Sequence, residues 1–288
     1  MPFPAHPRHG PVRARKATAP TTPAPRLLAA ERCLRTRGRR TIGSLPVARS
    51  LTPPGDLIAA AAWNNAALCN GVCRAHGIEP NFAEDAWTSP RRTPPLYPDA
   101  VTLDPDVTPE SLLARVDVSA GCSIKDSFFA LSLRTHGFSV LLEAEWIVRW
   151  PDEPGPRRDA DIEPEWRSVA DARELSRWEE GWRKDAVDDT FPASLLRGGG
   201  LTFLAAYDGD SLVAGAIANL TSGVVGVSNV FARSSSRRDF WSGCLRAVSE
   251  RFPDLPIVGY ESGAALHDAV AHGFAPVAPL RVWRRDAC

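Results

Sequence analysis

Three apolar stretches, Leu201–Tyr207, Leu212–Asn219 and Val224–Phe231, are separated by Asp208-Gly209-Asp210 and Thr221-Ser222-Gly223. Such turn-forming residues between alternating strands are hairpin signals, so the three are predicted to pair as an antiparallel meander. The segment that follows constrains the fold most. Arg237–Phe252 sets Phe240, Trp241, Cys244, Leu245, Val248 and Phe252 on one helical face, and Pro253 stops it. A strand (Pro256–Tyr260), a helix (Ala264–His272, ended by Gly273) and a last strand (Pro276–Trp283) complete the chain. A meander whose last strand returns through a helix places its next strand parallel. The result is an α+β fold with a mixed sheet flanked by helices.

The first half is read more coarsely. Leu57–His76 carries Ile58, Ala61, Leu68 and Val72 on one helical face, with Gly77 as its stop. Residues 78–98 read as loop. A strand at Ala100–Leu103, a helix opening at Thr108-Pro109-Glu110, a strand near Arg115–Ser119 and a helix over Ile124–Thr135 are expected next. Val140, Leu142, Ala144, Trp146 and Val148 then alternate along one strand. Pro151-Asp-Glu-Pro154-Gly-Pro156 reads as a linker, which divides the chain into domains 55–150 and 157–288. Ser168–Arg183 is expected to be helical, with Trp178 and Trp182 one turn apart.

Residues 1–54 read as a disordered tail rich in Pro and Arg, since such a segment cannot bury enough surface to offset its ordering entropy. The first 50 residues hold eleven Lys or Arg against one acid, so the zero net charge of the whole hides an acidic remainder. An acidic folded part argues against nucleic-acid binding. No apolar run is long enough for a membrane span. The tail is acid-poor like a transit peptide, yet lacks a convincing amphipathic helix; Met1 is the only methionine, so translation could also start further in. Six scattered cysteines without a secretory signal point to a reducing, cytoplasmic compartment. Cys69 and Cys73 share a helix face, but no second Cys/His pair stands at zinc spacing, so no metal is expected.

The order helix, meander, helix, strand, helix, strand resembles the GNAT superfamily of acyl-CoA-dependent N-acyltransferases over about residues 162–288. Two segments carry the likeness: Leu266–Phe274, similar to the family's late helix ending in Gly-Phe, and Gly226–Ala232 feeding the amphipathic helix. His136-Gly137-Phe138 and His272-Gly273-Phe274 each precede a strand bearing Trp146 or Trp283. That match suggests a degenerate GNAT-like repeat in the first half, in a tandem, pseudo-dimeric arrangement; an unrelated α+β domain is the alternative.

The resemblance implies an acetyl-CoA or other acyl-CoA donor. Its thioester would lie by Asn229, Val230 and Phe231, and its pyrophosphate on the next loop and helix N-terminus. That loop, Arg233-Ser234-Ser235-Ser236-Arg237-Arg238, lacks the family's glycines but is rich in donors. An acyl group on a carrier protein's phosphopantetheine is therefore an alternative donor. The family's late-helix Tyr is replaced by Ala269, leaving Ser262, Tyr260 or His267 as proton donors. Glu261 is the candidate base, and Asn229, a polar amide in mid-strand, the leading candidate for substrate contact. Glu179, Glu180 and Asp185 could attract a cationic amine but read more simply as a solvated helix face. The expected function is acyl transfer from a thioester to a small-molecule amine, by a monomer or homodimer. The alternative is a non-catalytic GNAT-like binding module.

Overall fold

The computed structural model describes residues 54–154, 164–183, 190–233 and 237–287, with side chains from residue 57 and, in the last segment, from residue 240. The basic tail up to residue 53, Asp185 and Ser234–Ser236 lie outside the described residues.

The first half runs α1 (Pro54–Ala75), β1 (Asn81–Phe82), β2 (Ala86–Thr88), β3 (Ala100–Thr102), α2 (Pro109–Leu113), β4 (Ser123–Asp126), a 3-10 turn at Arg134–His136 and β5 (Phe138–Arg149). The second half runs β6 (Glu165–Ser168), α3 (Ala172–Trp182), a 3-10 turn at Ala193–Arg197, β7 (Leu201–Asp208), β8 (Ser211–Thr221), β9 (Val224–Ala232), α4 (Arg237–Arg251), β10 (Ile257–Glu261), α5 (Gly263–Ala271) and β11 (Ala275–Arg285). The meander, α4 and α5 stand where the sequence places them. The first half departs from expectation. Residues 124–135 are not a helix, because Ile124, Lys125 and Asp126 are buried in β4 and Leu131 and Leu133 fold back on it. Arg115–Ser119 is irregular backbone, not a strand, and residues 78–98 contain two short strands.

Both halves contribute to one mixed sheet, in the order β1-β2-β3-β4-β11-β5-β10-β9-β8-β7-β6. β11 pairs antiparallel with β4, a strand of the first half, and β5 pairs antiparallel with β10, a strand of the second. The two final strands, β5 and β11, pair with each other at the centre. The turns that feed them are alike. Phe138 N–H donates to Leu133 C=O and Phe274 N–H to Ala269 C=O, while Gly137 and Gly273 adopt φ of 77° and 86°. Each turn is capped from the other half: Arg149, ending β5, donates to the His272 carbonyl, and Arg285, ending β11, donates to the His136 carbonyl. The caps obey the same near-two-fold relation as the strands.

Apolar side chains fill both faces of the sheet. α1 and α3, the latter through Trp178, cover one face, over Trp146, Phe203, Ile217, Val258 and Leu280. α4 and α5 cover the other, with Cys244, Leu245, Val248 and Ala269 on Ile147, Ala216, Val225 and Ile257. Each such fully buried aliphatic or aromatic side chain contributes roughly 1.5–3 kcal/mol. Among the described residues, no helix is long and apolar enough to cross a membrane.

A buried amide pair seats α1. The Asn64 side chain donates to the carbonyls of Asn219 (2.9 Å) and Val224 (3.2 Å), and the Asn219 side chain donates to the Asn64 carbonyl (2.9 Å). The fit requires Gly226, since a Cβ there would overlap the Asn64 side-chain oxygen. Gly226→Ala is therefore expected to lower stability by about 1–3 kcal/mol, through overpacking and loss of the amide pair. Urea unfolding would show this as a lower midpoint at unchanged slope; a midpoint equal to the parent's would contradict it.

Candidate active site

β9 and β10 pair in parallel only at Ile257↔Val225 and Val258↔Gly226. Beyond that, β9 stays bound to β8 as far as Ala232, and β10 stays bound to β5 as far as Glu261. The sheet therefore parts into a wedge between residues 227–232 and 259–261. Its two edges carry backbone N–H and C=O groups that do not serve each other, and such groups need other partners. Gly259 stands at the neck, where a Cβ would lie 3.1 Å from the Val227 carbonyl oxygen.

A β-bulge bends β9 just past the neck. Gly215 faces Phe231 and Ile217 faces Ser228, so Ala216 opposes both Asn229 and Val230. Asn229 has a φ of 52°, a left-handed conformation that asparagine tolerates better than most residues. Two buried hydroxyls, Ser228 Oγ and Tyr97 Oη, make no hydrogen bond. Tyr97 comes from the first half, and the Asn229 side chain lies close enough to it to act on its ionisation. Burial holds the Tyr97 phenol well above its ordinary pKa. Cys69, Tyr260 and Cys73 push the same way, and Asn229 opposes them. Tyr260 meets Trp146 edge to face at 5.7 Å, and Lys125 Nζ stands 4.0 Å over the Tyr260 ring. Among the described residues six buried side-chain polar atoms lack a hydrogen bond, and these two lie beside the parted strands, where a ligand would satisfy them.

Of the residues singled out in the sequence, Asn229 occupies the bulge. Val230 is buried toward α4, and the Phe231 ring packs on Trp178 at 5.1 Å, in space left by Gly181 and Gly215. Arg233 is exposed, and Arg237 and Arg238 open α4. Glu261 alternates with Tyr260 and so faces the α5 side, away from Tyr97. There Glu143, Glu145, Glu261 and Ser262 line a separate groove of about 320 Å³ with Phe129 and Leu266. His267 is an exposed helix residue whose Nδ1 lies 2.9 Å from the Gly263 carbonyl. Glu179 accepts the Thr190 amide at 2.6 Å and so anchors a loop, while Glu180 is exposed. Burial raises the Cys69 and Cys73 thiols to about 11 and about 12, and both pack in the core.

Sequence reasoning passed over Tyr97 and Lys125. One signal was available: the chain has only three tyrosines, and two of them, Tyr97 and Tyr260, lie within electrostatic reach of each other here.

No protein-family model and no curated protein matches the sequence. Solved structures do match its shape. A GCN5-related N-acetyltransferase from Kribbella flavida superposes with a TM-score of 0.54 at 15% identity, over 79% of this chain and 96% of that one. A GNAT-family protein from Novosphingobium aromaticivorans gives 0.50 at 13% identity, over 82% and 100%. The chain has the GNAT fold. Coverage of 79% is more than residues 157–288 alone could supply, so the likeness extends into the first half of this GNAT fold as well.

The bulge gives a conformational test. Asn229→Gly should leave stability within about 0.5 kcal/mol of the parent, whereas Asn229→Val, β-branched at positive φ, should cost about 1–3 kcal/mol. Thermal unfolding measures both, and equal stability of the two variants would contradict the left-handed bulge.

Proposed function

We propose that the chain is a GNAT-type N-acyltransferase, moving an acyl group from a thioester donor to the amine of a small molecule. Fold alone names no activity. The observation that carries the reading is the wedge between β9 and β10, with the orphaned hydroxyls of Ser228 and Tyr97 beside it. The donor is acetyl-CoA or another acyl-CoA, or an acyl-phosphopantetheine on a carrier protein. The amide-bearing pantetheine arm common to all of these suits the unpaired edge of residues 227–231. Arg233 and the N-terminus of α4 suit its phosphate.

The amine nitrogen attacks the thioester carbonyl carbon; the C–N bond forms and the C–S bond breaks. The amine gives up a proton, and the departing thiolate takes one. Backbone amides at the bulge serve the carbonyl oxygen. Tyr97 is the proton donor. Its pKa is raised, so it keeps its proton below that raised value and is an acid, not a base, at neutral pH. Glu261, which the sequence offers as a base, lies in the other groove and is not assigned to the reaction.

Residues 55–150 are a reduced GNAT-like repeat, and residues 157–288 are the half that binds the donor. The matched order of elements and the reciprocal Arg149 and Arg285 caps support that division.

Isothermal titration tests the reading first: acetyl-CoA is expected to bind, or else an acetyl-phosphopantetheine carrier in its place. Binding of neither would overturn it. Tyr97→Phe should lower kcat by about 10²- to 10⁴-fold and leave donor affinity within about twofold. An unchanged kcat would remove Tyr97 from the mechanism.

A further inference from the structure

Lys125 is 3% exposed, yet among the described residues its ammonium pairs with no carboxylate. It donates one hydrogen bond, to the Asn65 side-chain oxygen at 2.7 Å, and rests over the Tyr260 ring. Its chain neighbour Asp126 points to the opposite face of β4, where its carboxylate accepts the amides of Ala130 and Leu131. Asp99 is held by Arg92 at 2.6 Å. The other groups around the ammonium are neutral: Asn65 and Cys69 on α1, and Tyr260 on β10.

A buried cation without a countercharge is costly, because desolvation of an ammonium takes several kcal/mol that one neutral hydrogen bond and one ring do not return. Nothing in the packing of β4 calls for it. Val101 and Val282, the partners of Lys125 on the two neighbouring strands, show that this face of the sheet accepts apolar side chains. The position does matter to the wedge. Tyr260 borders the wedge on β10, Lys125 lies over Tyr260, and Tyr97 is within electrostatic reach of Tyr260 and Cys69. Lys125 thus belongs to the group of polar side chains on the α1 side of the parted strands.

We propose that Lys125 is the specificity residue of the acceptor site and that it binds a carboxylate carried by the acceptor amine. The acceptor class is then amino acids and related amino carboxylates, not polyamines or other purely cationic amines. The inference rests on the acyltransferase reading for the word acceptor, but the anion site stands on its own geometry. A single ammonium balances one negative charge, which favours a carboxylate over a phosphate dianion. Bound there, the carboxylate supplies the missing countercharge.

The chain has three lysines, Lys16, Lys125 and Lys184, so NMR of protein labelled at the lysine ε-carbon resolves each of them. The full chain is titrated with the N-acetyl derivatives of the common amino acids and with the matching N-acetyl carboxamides. At least one carboxylate is expected to shift the Lys125 signal saturably, while its carboxamide leaves that signal in place. Lys125→Met should weaken binding of that carboxylate at least tenfold, and Lys125→Arg, which keeps the charge, should weaken it less. If no carboxylate moves Lys125, or carboxamides move it equally, the proposal is overturned. Acetyl-CoA and an acetyl-phosphopantetheine carrier, titrated in parallel, separate the two readings. Donor binding with an unmoved Lys125 removes only the carboxylate site. A moved Lys125 without donor binding keeps the anion site and removes the transferase.

Discussion

The pairing of β5 with β11 governs the rest of the molecule. Each is the last strand of its half, and each leaves its own neighbours to lie beside a strand of the other. Hydrogen bonds of one sheet thereby run through both halves, and neither half has a complete sheet without the other's final strand. The two arginine caps reinforce the exchange. Arg149 serves the turn that starts β11, and Arg285 serves the turn that starts β5. Loss of either would leave a turn carbonyl of the opposite half without its charged donor.

That exchange also brings first-half residues to the wedge. β5 holds β10 along its full length, so β10 cannot follow β9 when the bulge at Asn229 bends β9 away. The gap is thus the outcome of two opposed pairings. On its α1 side the first half supplies Tyr97 from a loop and Lys125 from β4, which reach side chains of β9 and β10. Ala269, at the late-helix position, is buried on the α5 face of the sheet, whereas Tyr97 lies on the α1 face.

Sequence reading captured the meander, α4 and α5 because their signals are local, but it missed β6 and took Ser168, the last residue of that strand, into α3. The Ser222-Gly223 turn has both residues at positive φ, as a tight hairpin demands, and α4 buries the face its periodicity marks. The first half resisted because its strands are short and stabilised by distant partners. Ile124 and Lys125 read as part of a helix, yet they pair with Trp283 and Val282 at the far end of the chain. Asn229 stood out as a polar residue in an apolar strand, although its left-handed backbone could not be seen in the pattern. Glu261 and His267 were chosen for residue type and strand or helix position. Alternation along β10 turns Glu261 to the other face, and His267 lies on the exposed side of α5. The His-Gly-Phe pair was visible as a repeat, and the arginine that follows each at the same spacing would have strengthened it.

In the proposed reading the parted edges of β9 and β10 hold the acyl donor. Hydrogen–deuterium exchange of the backbone amides of residues 227–232 and 259–261, with and without acetyl-CoA, tests it most directly. Donor binding is predicted to slow exchange there by at least about tenfold, because the edge amides gain partners. Protection confined to the groove of Glu143, Glu145 and Glu261, with the wedge amides unchanged, would contradict the claim.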